Sequence, residues 1–200
     1  MPRPEKRAAI AKAALAVFLR EGYARASVDV IAAEAGVSKR TVYNHYGDKE
    51  NLFLSVIAET DEGMAEAFTA MLDRTLGEVT DVEAALLAFG REFATAVARS
   101  PERSAVMRLL IAEITHFPAL REQWGGVGRT QRALADRLAD LASRGLLAID
   151  DPVEAAAHFG VLATSMVNNL SLYGAVPVSD ERVDELVTGG VRLFLRAHRP

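Results

Sequence analysis

The chain reads as all-α, an N-terminal three-helix head followed by a C-terminal helical bundle, with about nine helices in all. Three observations predict this. Apolar residues recur at spacings of three and four along nearly all of the 200 residues, and no stretch alternates with the period of two that marks a half-buried strand. Residues that cap helices, Ser27, Ser38, Asp48, Asp81, Asp151 and Ser179, each stand just before such a pattern. Glycine or proline stands where most of the patterns stop, and no repeat or low-complexity segment interrupts them.

The first helix is expected over residues 4–21, with Ile10, Ala13, Ala14, Val17 and Phe18 as its core stripe and Gly22 at its end. In the stretch from Ser27 to Phe53, Val28, Ile31, Ala32 and Ala35 fall at i, i+3, i+4, i+7, on one side of a second helix. Gly36 tolerates positive φ and turns the chain. Ser38 caps a third helix in which Val42 and Tyr46 point inward while Lys39, Arg40, Tyr43 and Asn44 face out. The small Ala32 lets the two helices cross closely at a steep angle. This is the pattern of a helix-turn-helix, whose second helix lies in a DNA major groove. Asp48 then opens a long helix through Leu52, Phe53, Val56 and Ile57 toward Met64, Phe68, Met71 and Leu72, ending near Gly77 and Thr80. A functional boundary near residue 50 divides a head, 1–50, from a body, 51–200.

In the body, Asp81 caps a helix carrying Val82, Leu86, Phe89, Phe93 and Val97 that ends at Ser100 and Pro101. The next runs from about Glu102 to Phe117, with Met107, Leu110, Ile111 and Ile114 on one face, and Pro118 closes it. Leu120, Trp124, Val127, Leu134, Leu138 and Leu141 continue the helical spacing, but Gly125, Gly126 and Gly128 interrupt it, which predicts a kink, a break or a mobile turn before Gly145 stops the pattern. Asp151, Pro152 and Glu154 form a capped start to a helix that runs to Tyr173 and is small or apolar nearly all round, so it needs neighbours on several sides. Ser179 opens the last helix, whose stripe is Val183, Leu186, Val187, Val191 and Phe194. Its acids gather early and its bases late, which complements the helix dipole.

Composition narrows the function classes. Half of the residues are apolar and a quarter charged, as in an ordinary globular protein. No apolar run approaches the ~20 residues of a membrane-spanning helix, and the first residues lack the long apolar core of a signal peptide, so no membrane partner and a cytoplasmic location are expected. With no cysteine there is no disulfide, thiolate nucleophile or Cys-based zinc site. The four histidines, His45, His116, His158 and His198, are scattered, and Gly125–Gly128 lacks the Lys-Ser/Thr of a phosphate loop. Nothing converges on a catalytic or metal centre, and the chain is expected not to be an enzyme. The net charge of −4 conceals an asymmetry: residues 1–50 hold nine Lys or Arg against six acids, residues 51–200 fourteen against twenty-one. All four lysines lie at or before Lys49. A DNA contact on so acidic a protein has to be local to its basic end.

The residues Ala32, Gly36-Val37-Ser38-Lys39, Thr41-Val42-Tyr43, His45-Tyr46, Asp48-Lys49-Glu50 and Leu52-Phe53, ungapped in that order, resemble the TetR family of bacterial transcriptional regulators. The resemblance implies double-stranded operator DNA as partner and assigns roles by position. Lys39, Arg40, Thr41 and Asn44 would reach base edges, Arg40 foremost, since Arg pairs bidentately with guanine and Asn with adenine. Tyr43, His45 and Lys49 would contact phosphates, together with Ser27, Ser38 and the helix N-terminal amides they cap. For His45 the alternative is partial packing against the first helix, and Tyr46 reads as core. Arg3, Lys6 and Arg7 would lie along the phosphate backbone or belong to a frayed terminus.

For the body the resemblance implies a homodimer through the last two helices, about 152–173 and 180–197; the competing reading makes the first of these the buried centre of a monomer. It also implies a cavity for a small apolar or aromatic effector, otherwise no cofactor. Candidate lining residues are Phe89, Phe93, Met107, Leu110, Ile111, Ile114, Phe117, Trp124, Phe159, Met166 and Asn169. Glu113, His116, His158 and Asn168 are polar residues to watch, Glu113 and His116 being either a pocket pair or a surface ion pair. The region 102–152 further resembles one subgroup of the family's C-terminal domains, without naming a ligand. The expected function is a repressor that binds a palindromic operator as a dimer and is released by a ligand. An activator or constitutive regulator, or a helical ligand-binding protein without DNA binding, is the alternative.

Overall fold

The computed structural model describes residues 3–124 and 127–200, and among them every regular element is an α-helix. There are ten: α1 (Arg3–Arg25), α2 (Val28–Glu34), α3 (Lys39–Tyr46), α4 (Lys49–Leu76), α5 (Val82–Arg99), α6 (Pro101–Glu113), α7 (Pro118–Trp124), α8 (Arg129–Ser143), α9 (Pro152–Leu170) and α10 (Asp180–His198). The expected count of about nine was one short because one pattern, Leu120 to Leu141, is two helices: α7 ends at Trp124 and α8 starts after Gly128. Gly125 and Gly126, two of the three glycines on which the choice of kink, break or mobile turn rested, lie outside the described residues. Pro118 opens α7 instead of merely closing α6, which stops at Glu113. Gly22, at φ 75, breaks α1 as expected, but a further turn carries the chain to Arg25.

The helix starts follow from the caps. Ser27, Ser38, Asp81, Asp151 and Ser179 each accept a first-turn backbone N–H, and Asp48 accepts that of Asn51 at 2.7 Å. The long apolar helix expected to reach Tyr173 stops at Leu170. Leu172 (φ 48), Tyr173 (φ 53) and Gly174 (φ 76) are left-handed in succession, and the fully buried Ser171 ties this turn by donating to the Asn168 carbonyl and accepting from the Gly174 N–H.

The chain divides into two compact units, Met1–Met64 with Arg108–Leu120, and Ala65–Met107 with Arg121–Pro200. The first unit is built on Ile10, Val17 and Phe18 of α1, Ile31 of α2, Val42 of α3 and Leu52, Phe53 and Ile57 of α4, none more than 1 % exposed. Phe18, Tyr23, Phe53 and Phe117 form an aromatic cluster with ring centroids 4.7–6.1 Å apart. The second unit packs α5, α8, α9 and α10 with the end of α4 around one continuous core, through which Phe93, Phe68, Phe89, Phe159 and Phe194 touch in series. Backbone meets backbone where α9 and α10 cross: a Cβ on Gly190 would stand 2.2 Å from the Leu162 carbonyl oxygen. No helix among the described residues is long and apolar enough to cross a membrane.

Candidate nucleic-acid interface and ligand cavity

In the first unit, α2 and α3 are joined by a turn that Gly36 makes at φ 65, closed by the Val37 N–H donating to the Ala32 carbonyl at 3.0 Å. Ser38 caps α3 by accepting from the Thr41 N–H at 3.1 Å, and its hydroxyl also pairs with that of Thr41 at 2.8 Å. Burying Val42 and Tyr46 fixes the rotation of this eight-residue helix. Lys39, Arg40, Tyr43 and Asn44 are consequently exposed, and Thr41 and His45 are half-buried at the margins. The His45 ring lies 6.4 Å from that of Tyr46.

The charges on this surface are not equivalent. Lys39 Nζ donates to Asp29 Oδ2 of α2 at 2.9 Å, which holds its ammonium above the ordinary lysine range. Lys49 is committed to scaffold: its Nζ donates to the Ala24 carbonyl at 3.2 Å and lies 4.5 Å from the centre of the Tyr23 ring. Arg40 makes no hydrogen bond or ion pair among the described residues, so its five donors remain available. Ser27 is half-buried and accepts from the Asp29 N–H at 3.2 Å. Arg7 pairs with Glu59 at 2.9 Å, with its guanidinium 5.2 Å from the Tyr46 ring centre, so this member of the basic N-terminal cluster is anchored to α4; of the Arg3 side chain nothing is described. Burial pushes the Tyr46 hydroxyl up, with Glu59 adding to the shift, and that hydroxyl donates to the Arg7 carbonyl at 3.4 Å.

Sequence reasoning missed Asp29 and Tyr23. The first stands opposite in charge to Lys39 across the turn, and the second is an aromatic placed just past the Gly22 break; neither follows a local spacing rule.

In the second unit a cavity of about 90 Å³ is lined by Phe93, Val97, Arg103, Ser104, Met107, Thr164, Asn168 and Tyr173. A neighbouring, more open one of about 330 Å³ shares Phe93 and Thr164 with it and adds Phe68, Leu134, Ala156, Gly160 and Val161. Of the eleven residues proposed from sequence, Phe93 and Met107 line these cavities. Phe89 lies in the core between Phe68 and Phe159. Leu110 and Phe117 are buried in the first unit, Phe117 against Tyr23 and Phe53, and Ile114 is half-buried there. Ile111 and Met166 are 52 % and 53 % exposed, and Asn169 is exposed. The Trp124 side chain lies outside the described residues. These differences share one cause: helical spacing groups residues on a face without saying which neighbour that face meets.

Asn168, watched as a polar residue, lines the smaller cavity, while Phe159 is core. Arg103, Ser104, Thr164 and Tyr173 went unrecognised, although Arg103 and Ser104 precede Met107 by four and three, on the same helical face. Glu113 and His116 pair at 3.3 Å with His116 71 % exposed, and His158 faces Glu154 at 3.9 Å on the surface. No group of three or more His, Asp or Glu among the described residues could hold a metal ion.

Comparison with known proteins matches residues 10–56 to a family described as bacterial regulatory proteins, tetR family, and residues 84–200 to one described as AefR-like transcriptional repressor, C-terminal domain. A TetR-family transcriptional regulator from Mesorhizobium loti superposes with a TM-score of 0.90 at 29 % identity, each chain covered to 100 %. The flavonoid-responsive regulator FrrA gives 0.72 at 28 % identity, over 98 % of this chain and 97 % of that one. The transcriptional activator FasR of Mycolicibacterium smegmatis is 35 % identical over 89 residues, 44 % of this chain. The chain matches less than half the length of such curated relatives, 41 % in the case of FasR. With one family model covering more than half of the chain and another covering the helix-turn-helix, this protein belongs to the TetR family of bacterial transcriptional regulators.

Proposed function

We propose that the chain is a homodimeric repressor that reads a palindromic operator through α3 and is released when a small ligand occupies the second unit. One observation carries the DNA reading: the row Lys39, Arg40, Tyr43 and Asn44, turned outward by the burial of Val42 and Tyr46, with Arg40 unengaged. Arg40 is the principal base reader, because a guanidinium with free donors matches the O6 and N7 of guanine, and Asn44 has the groups to read adenine. Thr41 stands beside them. Lys39, Tyr43, His45, Ser27 and Ser38 serve phosphates. Lys49 acts chiefly by holding the end of α1, and any phosphate contact it makes is secondary. A protein working on DNA in this way operates in the cytoplasm.

Dimerisation is supported by apolar side chains left in solvent on the last two helices: Val161, Met166 and Leu170 of α9 and Leu193 of α10 are 44–59 % exposed. A C2 dimer carries its two readers to half-sites ~34 Å apart. Ligand control is supported by the paired cavities, apolar at Phe68, Phe93 and Met107 with polar anchors at Ser104, Thr164 and Asn168, and by the flavonoid response in FrrA's name. The ligand class is a small apolar or aromatic molecule with a polar end. The repressor sense agrees with the description of the C-terminal family. Activation is the second reading, favoured by the match to FasR.

Fluorescence anisotropy on DNA from upstream of the protein's own gene tests the proposal. Arg40→Ala should cost ~1–3 kcal/mol at one operator position and relax base preference there while leaving the salt slope nearly unchanged. Uniform weakening on every sequence would assign Arg40 to phosphate, and no specific complex from the wild type would refute the regulator reading. Run-off transcription from the bound promoter separates the two senses.

A further inference from the structure

The last helix divides its charges between two faces. Asp180 and Asp184 are turned to α5, where they pair with Arg99 and Arg91. Glu181, Glu185, Arg192 and Arg196 are all exposed, and their spacings of four, seven and four residues put them in one row along α10, roughly a third of a turn round from Asp180 and Asp184. Glu185 is held by Arg182 at 2.9 Å, and Arg192 and Arg196 have no ion pair among the described residues. The two arginines, with Leu195, Arg199 and Glu83, line a shallow groove of about 460 Å³. The midpoint between Glu185 and Arg192 and that between Glu181 and Arg196 coincide, between Thr188 and Gly189. A row that is acidic before a point and basic after it, at equal distances, is complementary to itself when turned end for end.

We propose that α10 docks antiparallel on α10 of a second copy of this chain, crossing at Thr188 and Gly189, with Glu185 of each copy against Arg192 of the other and Glu181 against Arg196, the acidic first turn entering the arginine-lined groove. The inference rests on the dimer reading above and adds to it what fixes the register and the choice of partner. At the helical rise, the paired residues lie ~5 and ~11 Å to either side of the crossing, within reach of Glu and Arg side chains. Gly189 has no atom within 4 Å of where its Cβ would stand, so it leaves room for that crossing. Two chains that meet parallel would set acid against acid and base against base, a repulsion that selects the orientation.

The test uses the full chain in two charge-reversed forms, Glu181→Arg/Glu185→Arg and Arg192→Glu/Arg196→Glu, with circular dichroism confirming their helicity. Each alone should dimerise at least about tenfold more weakly than wild type in sedimentation equilibrium at low salt. Mixed in equal amounts they should form heterodimer well above the statistical half, counted by native mass spectrometry. A monomeric wild type would remove the dimer reading itself. A dimeric wild type whose variants keep its affinity, or mix statistically, would overturn the register while leaving the dimer. Should either reversal fail to fold, Arg192→Gln/Arg196→Gln replaces it: a weaker dimer whose affinity no longer depends on salt supports the proposal, and an unchanged salt dependence overturns it.

Discussion

Gly190→Ala should destabilise the second unit although it puts a better helix former into a helix. The added methyl would lie 2.2 Å from the Leu162 oxygen and 2.7 Å from its carbon, where contacts under 3.0 Å are essentially never found, so α9 and α10 must part locally by at least 0.8 Å. Neither neighbour is the flexible end of a side chain; both are backbone inside a helix. The separation is felt by Phe159, Ala163, Val187, Val191 and Phe194, all 0–2 % exposed. A gap of this size forfeits roughly a quarter to a half of each dispersion contact across it. Overpacking costs ~1–3 kcal/mol, against which Ala regains ~1 kcal/mol of helix propensity over Gly, for a net loss of about 1–2 kcal/mol. Gly63 in α4 is the internal comparison: exposed, with nothing within 4 Å of its missing Cβ, it should give a gain of up to ~1 kcal/mol on the same change. Urea titrations at one fixed protein concentration would measure both, since a dimer's midpoint moves with concentration. A Gly190→Ala protein with a midpoint at or above wild type, and an unchanged slope, would refute the close crossing.

The remaining predictions concern the head. Asp29→Ala removes the carboxylate that holds Lys39, so affinity for all DNA sequences should rise a few-fold and the salt slope steepen by about one counterion; a salt titration of anisotropy that is parallel to wild type would contradict the Lys39 assignment. Lys49→Ala should lower the head's stability by ~0.5–1 kcal/mol through loss of its place over Tyr23 and at the Ala24 carbonyl, detectable as faster amide exchange at the end of α1; equal exchange with weaker DNA binding would make Lys49 a phosphate contact after all.

The helix-turn-helix was legible because its determinants are local. Ser27 and Ser38 announce two helix starts, Gly36 the turn, and Val42 with Tyr46 the inward face of α3, so the outward row follows by subtraction. What was not legible is long-range. Phe117 obeys the spacing of a helix face, yet α6 ends at Glu113 and the chain turns Phe117 toward Tyr23 and Phe53, more than sixty positions earlier. Met166 sits in a helix apolar nearly all round, where no periodicity distinguishes the core side from the solvent side, and it emerges 53 % exposed. Asp29 neutralising Lys39 depends on the angle at which two short helices cross, which a glycine permits but does not determine.

The first unit draws its core from two stretches of chain separated by more than forty residues. Leu109, Leu110, Phe117 and Leu120, all 1–7 % exposed, are supplied by the second stretch. A fragment ending at residue 64 would therefore leave Tyr23 and Phe53 bare on one side, one ending at residue 50 would lack Phe53 as well, and both are expected to fold weakly or to aggregate. On the ribosome the same arithmetic makes the head a late product. Its helices can form early, but its interior is complete only after residue 120 has emerged, and until then the nascent chain presents apolar surface to chaperones.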